Sequence, residues 1–136
     1  MPTIGVFAAI LDEQGRILCV KRNYGPKNWT TPGGRMEPGE SPIEAIEREV
    51  QEETGYLVRA KRLIGAQSAT YKDDLALVIE AEIIGKEEWQ PNQEISEMGF
   101  FFRDELPQPM HPKTQERIQD AFDGKIGFIS IVREPC

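Results

Sequence analysis

The chain has 136 residues, a formal net charge of −7, one histidine and two cysteines. That length suits one domain spanning residues 1–136, with a sizeable core that 39% hydrophobic residues can fill. The acidic balance argues against a broad nucleic-acid surface, which needs clustered Lys and Arg, although a metal or a local basic side chain can reverse the field inside a pocket for a small anion.

No apolar run approaches the ~18–20 residues that cross a bilayer, so no membrane partner is expected. The start of the chain lacks the basic segment of a signal peptide. Cys19 and Cys136 form neither a metal-binding nor a disulfide pattern, which points to a reducing, cytoplasmic setting. The oligomeric state stays open, a homodimer included.

In chain order, residues 3–11 and 16–22 are rich in Ile, Val, Leu and Phe and flank the turn Asp12-Glu13-Gln14-Gly15, so they read as a β-hairpin. Residues 23–40, NYGPKNWTTPGGRMEPGE, are punctuated by Gly and Pro and read as a long functional loop. A helix follows. Ser41 suits the N-cap, Pro42 the first helical position, Glu44 the far side of a capping box and Gly55 the C-terminal stop. Strands are predicted over 57–64 and 75–84, joined by Tyr71-Lys72-Asp73-Asp74, with a second polar loop over 85–97. A strand over 98–103 and a helix over 112–122, with Ile118, Ala121 and Phe122 on one face, complete an α+β layered domain.

The central helix carries an unusual grouping. With Glu49 at zero on a helical wheel, Glu52 falls at about −60° and Glu53 at about +40°. Ile43, Ile46, Val50 and Thr54 fall between roughly 60° and 140°. The three carboxylates therefore border the buried stripe instead of opposing it, and Ala45 leaves their face uncrowded. Carboxylates held together at such a border need a cation or a proton. Two readings stay open at this point: a site for Mg²⁺ or Mn²⁺, which oxygen ligands favour, or a helix face braced by Arg48 and other salt bridges. His111 as the single histidine argues against zinc, and no D-x-D-x-D-G calcium loop is present.

The segment from Gly34 through Glu40 to Arg48-Glu49-Val50-Gln51-Glu52-Glu53-Thr54-Gly55-Tyr56 resembles the Nudix box, G-x5-E-x7-R-E-U-x-E-E-x-G-U, over residues 34–56. Seven fixed identities match, and Tyr56 departs at the last position, where an aliphatic residue is usual. At roughly one chance in fifteen per identity, a random window would match at ~10⁻⁸. Trp29-Thr30-Thr31-Pro32-Gly33-Gly34 and the run from Glu94 to Pro107 also look like the family's flanking segments.

The resemblance implies a Nudix-type α/β/α sandwich around a mixed sheet. It also implies a pyrophosphohydrolase dependent on Mg²⁺ or Mn²⁺, acting on a small nucleotide or a nucleoside diphosphate linked to another moiety. Carried over by position, Glu52, Glu53 and the Gly33 carbonyl would hold the metal. Glu49 would bind metal or act as general base, Arg48 would orient it, and Glu40 would support the loop or the metal shell. Gly34 would let backbone approach the diphosphate. Glu94 and Glu97 are candidates for an extra carboxylate and equally for solvated loop charges. Arg22 fits a phosphate contact or a surface ion pair. Tyr24, Tyr71 and Trp89 are candidates to stack on a base, whereas Trp29 reads as an anchor beneath the Pro-Gly-Gly turn and His111 as the start of the last helix. The box does not separate oxidised-nucleotide clean-up from hydrolysis of ADP-ribose or dinucleoside polyphosphates. A non-catalytic nucleotide-binding module on the same fold is the alternative from another class.

Overall fold

The computed structural model describes residues 2–132, so Cys136 lies outside the described residues. Ten elements follow in order: β1 (Thr3–Ala9), β2 (Ile17–Arg22), β3 (Trp29–Thr30), β4 (Gly33–Arg35), α1 (Pro42–Thr54), β5 (Tyr56–Ala69), β6 (Asp74–Lys86), β7 (Ile95–Phe101), α2 (Pro112–Phe122) and β8 (Phe128–Ile131). A 3-10 turn over Thr70–Lys72 joins β5 to β6. Five strands make a sheet in the order β4-β1-β6-β5-β8, and three make a second sheet, β3-β2-β7. The larger sheet is mixed: β1 runs parallel to β6 and β5 parallel to β8, while the other pairs are antiparallel.

Alternation along β1 sends its side chains to two cores. Val6 and Ala8 pack with Ala45, Ile46 and Val50 of α1, while Ala9 packs with Ile64, Val78 and Ile118 on the α2 side. The expected sandwich is therefore present, with one helix on each face. Leu18, Met98 and Phe100 bring the smaller sheet into the first core, and Ile17, Cys19 and Trp29 bring it into the second.

Three departures from the sequence reading have physical causes. The turn at Asp12–Gly15 forms, with Asp12 Oδ1 accepting the N–H groups of Gln14 and Arg16, but β1 and β2 are not a hairpin beyond a single bridge at Leu11 and Ile17. Both edges of β1 are already taken, by β4 and β6, so β2 diverges into the other sheet. The loop over 23–40 contains two short strands, one of which, β4, lays Gly33 and Gly34 against Phe7 and Val6. Ile43 is 56% exposed although the wheel puts it on the buried stripe, because it lines an open apolar pocket with Ala60, Leu63, Leu77 and Ile79 instead of packing closed against them. The edge strand β8 was not anticipated.

Candidate active site

Helix α1 begins and ends where its sequence signals place it. Ser41 Oγ accepts the Glu44 N–H at 3.1 Å and Glu44 returns the bond to the Ser41 N–H at 3.0 Å. Gly55 takes φ 77°, and a Cβ there would meet the Glu87 carbonyl at 2.7 Å and Trp89 Cβ at 2.8 Å. Trp89 therefore packs on the helix end. With both ends fixed, the rotation of α1 is fixed, and so is the direction of its glutamates.

Arg48 organises the outer part of the site. Its Nε and Nη2 donate to the two oxygens of Glu40 at 2.5 and 3.0 Å, and its Nη1 to Glu49 at 3.0 Å and Glu52 at 3.3 Å. This bidentate pairing fixes geometry as well as charge. Glu40 also accepts the Glu37 N–H at 2.9 Å, and the Arg48 guanidinium with that N–H holds its carboxyl down at about 2. Glu40 thus closes the loop before α1.

Glu53 is the inner member, 7% exposed, with Oε1 accepting the Gly33 N–H at 3.1 Å. Burial first, then the hydrogen-bonded and charged Glu49, pushes its carboxyl well above the usual carboxylate range. Glu49 is itself largely covered, and its carboxylate lies against Gly34, where a Cβ would come within 2.7 Å of Oε1. A larger residue at Gly34 would push that carboxylate from where Arg48 holds it. Glu52 differs: its side chain is 55% exposed and turns toward Arg48. Among the described residues no three acidic, His or Cys side chains already converge as a closed cage. Glu49 and Glu53 form the converged pair, and Glu52 stands one helical turn away on the solvent side.

A divalent cation fits this donor set. The pair is largely buried, shares its one bonded guanidinium with Glu40 and Glu52, and is made only of oxygen, which matches Mg²⁺ or Mn²⁺ and not zinc. Gly33 donates its N–H to Glu53 Oε1, which sets its backbone beside the pair.

The remaining candidates scatter. Arg22, half-buried at the end of β2, is close enough for its charge to act on Glu53, with the Tyr24 ring 5.9 Å from its guanidinium carbon. Glu97 faces Lys21 across the β2–β7 pairing at 3.7 Å and is 60% exposed, so it behaves as a solvated strand charge. Glu94 is exposed beside Asn23. Tyr71 is exposed in the 3-10 turn, remote in sequence and element from α1. Trp29 is buried edge-on against Phe101 at 5.3 Å, and His111 caps α2 by accepting the Lys113 N–H; both are structural as expected. The Cys19 thiol is buried and pushed up to about 12, which removes it from chemistry.

The NUDIX domain model matches residues 1–122. This chain belongs to the Nudix family. It is a Nudix hydrolase by the same evidence of kinship. It is 36% identical over 125 residues to a Bacillus subtilis protein bearing the name of an 8-oxo-dGTP diphosphatase, covering 91% of this chain and 83% of the relative. It is 33% identical over 104 residues to an ADP-ribose pyrophosphatase of Methanocaldococcus jannaschii, covering 72% and 61% of the two chains. The fold of this Nudix hydrolase matches the crystal structure of an ADP-ribose pyrophosphatase from Streptococcus suis with a TM-score of 0.82 at 26% identity, over 97% of this chain and 100% of the other.

The sequence reading missed Arg117. It lies in the stripe Thr114, Arg117, Ile118 and Ala121, whose i, i+3, i+4, i+7 spacing marks the buried face of α2. An arginine inside such a stripe was the available signal.

Proposed function

We propose that this Nudix hydrolase uses Glu49, Glu52 and Glu53 to hold Mg²⁺ or Mn²⁺ and cleaves the phosphoanhydride of a nucleotide or a nucleoside diphosphate linked to another moiety. The observation that carries the reading is the buried Glu49–Glu53 pair, pressed against the Gly33–Gly34 backbone, with no guanidinium among the described residues bonded to Glu53. When bound, the cation supplies positive charge against the diphosphate and acidifies the attacking water.

The chain's own residues do the rest. Arg48 is a positioning residue: tied to Glu40, it holds Glu49 in one orientation and tethers Glu52 on the solvent side, one helical turn from the pair. Glu49, with one oxygen on Arg48, is the carboxylate set to take the proton of the attacking water, directly or through a second water. Gly33 and Gly34 let the diphosphate approach the backbone. Arg22, beside Tyr24, contributes positive charge for a phosphate or the group beyond it. Both 8-oxo-dGTP and ADP-ribose, the compounds in the relatives' names, belong to the proposed substrate class. No helix among the described residues is long and apolar enough to cross a membrane; the free, buried Cys19 supports a reducing, cytoplasmic setting.

The test is a screen of nucleoside triphosphates, sugar nucleotides, ADP-ribose and dinucleoside polyphosphates in Mg²⁺ and Mn²⁺. At least one is hydrolysed, and Glu52→Gln lowers its kcat by ~10²–10³ while folding stability changes by less than ~0.5 kcal/mol, as for an exposed side chain. Wild-type turnover in Glu52→Gln would remove that residue from the metal site. Tight nucleotide binding without any product would favour a binding module.

A further inference from the structure

A second polar centre lies on the other face of β1. Arg117 is 3% exposed, yet among the described residues no carboxylate forms an ion pair with it. Its Nη1 donates to Gln67 Oε1 at 3.2 Å, and its Nη2 to Thr30 Oγ1 at 3.3 Å and Thr114 Oγ1 at 3.2 Å. These neutral partners come from both sheets and from α2. The Phe7 ring covers one face of the guanidinium at 4.0 Å, and Nε–H is buried without a partner. A guanidinium keeps its proton in proteins, so this is a buried positive charge with one donor unused.

Other cations gather around it. Lys113 sits one helical turn before Arg117, half-buried, and the exposed Lys72 of the 3-10 turn comes within hydrogen-bond reach of its ammonium group. Arg22 acts on Arg117 from β2 as it acts on Glu53. His111 stands at the N-cap of α2, in range of the charges of Lys113, Lys72 and Arg117. Asp74 is the acidic side chain that acts on both Arg117 and Lys113. It is shared with Thr3 Oγ1 at 2.6 Å and Lys72 Nζ at 3.7 Å. Burial and mutual repulsion press the Lys113 and Arg117 pKa values down. In a chain of net charge −7, four positive side chains from three elements gather around Asp74, with Glu116 acting on Arg117 alone. Such an arrangement is costly unless an anion joins it. Exposure falls from Lys72 through Lys113 to Arg117, so the cations run from the surface inward.

A chain of contacts links this centre to the glutamates: Phe7, under Arg117, pairs with Gly33, whose N–H holds Glu53. Arg22, acting on both Arg117 and Glu53, is the side chain the two centres have in common.

We propose that Arg117, Lys113, Lys72 and Arg22 form a second anion subsite, which receives a phosphate monoester carried on the part of the substrate beyond the cleaved diphosphate. This deepens the proposed hydrolase reading and rests on it for the substrate, but the anion site itself can be tested without turnover.

The first measurement is thermal unfolding in EDTA with inorganic phosphate against chloride at matched ionic strength. The wild-type Tm rises by ~3–6 °C at 20 mM phosphate, and Lys72→Met/Lys113→Met loses the rise while keeping Arg117 and a folded core. No phosphate-specific shift in the wild type, or an undiminished shift in the double variant, overturns the subsite. The second measurement compares ADP-ribose with its adenosine 2′-phosphate derivative, and a nucleoside diphosphate sugar with its 3′-phosphorylated form. In at least one pair the phosphorylated member has a KM lower by ~10-fold with little change in kcat, and the double variant brings that KM ratio close to one. Phosphate binding without any KM advantage overturns the assignment to substrate. If neither member of any pair is hydrolysed, the assignment to substrate is overturned and the phosphate titration alone decides the anion site; the hydrolase reading fails only if the broader substrate screen is silent as well.

Discussion

Replacing Glu53 by Gln tests the buried pair in the metal-free protein. The folded state raises the Glu53 pKa above its ordinary 4.5 because burial and Glu49 disfavour the anion. A raised carboxyl means that the native state holds a proton which the unfolded chain releases. The stability penalty is therefore absent well below pH 4.5 and grows as pH rises above it, until the native carboxyl ionises. At pH 8, keeping that proton would cost about 1.4 kcal/mol for each of 3.5 units, a ceiling near 5 kcal/mol. If the site relaxes or admits water, about half of that remains, or ~7 °C in Tm for a chain of this size. Gln keeps an oxygen for the Gly33 N–H and an N–H₂ for Glu49, so the substitution removes the charge problem with little change of shape.

In EDTA, Glu53→Gln should be more stable than wild type by ~2–5 kcal/mol at pH 8 and by less than ~1 kcal/mol at pH 5, measured by urea or thermal unfolding. Adding Mg²⁺ at pH 8 should recover the wild type and leave Glu53→Gln unmoved, and activity should be lost in the variant. A variant less stable than wild type at pH 8 without metal would refute the reasoning, as would a wild-type stability that climbs from pH 5 to pH 8.

Three further outcomes follow from the same geometry. Arg48→Lys loses the two-pronged grip on Glu40 and the reach to Glu49, so kcat should fall by ~10–100-fold with a smaller change in KM, read from steady-state kinetics. Gly34→Ala puts a methyl group 2.7 Å from Glu49 Oε1; kcat should fall by at least ~10-fold, while Gly15→Ala, with open space around it, should affect stability and not turnover. Ser41→Ala removes the capping box and should cost ~1 kcal/mol in urea unfolding, with KM unchanged.

Legibility in the sequence depended on how local the cause was. Helix α1 was legible to the residue, because Ser41, Pro42, Glu44 and Gly55 act through bonds within one turn. The border position of Glu49 and Glu53 was legible for the same reason, since a wheel needs only spacing. Pairing between distant strands was not. Nothing in residues 3–22 says that β4 and β6 will occupy both edges of β1, so the local turn suggested a hairpin. Ile43 misled because a wheel gives direction around the axis but not how closely the facing sheet approaches, and here an open pocket separates it from Ala60, Leu63, Leu77 and Ile79. Among site residues, the exposure of Glu52 and the Lys21 partner of Glu97 depend on tertiary neighbours. The cations around Arg117 come from positions 22, 72, 113 and 117, and their grouping exists only once β2, the 3-10 turn and α2 are assembled.

The pairing of β5 with β8 bears on how this protein behaves at high concentration. β5 is fourteen residues long, and β8 covers its outer edge only from Gly65 to Ser68. The stretch before it would offer open backbone to a neighbouring molecule, the usual seed of edge-to-edge aggregation. That stretch carries Arg59, Lys61 and Arg62, all exposed, and the pairing slips at three bulges between Leu57 and Gly65. Charge and twist thus guard the part of the edge that four residues of β8 cannot reach. Neutralising these three side chains should leave the fold intact and turn a dispersed protein into one that self-associates through its sheet.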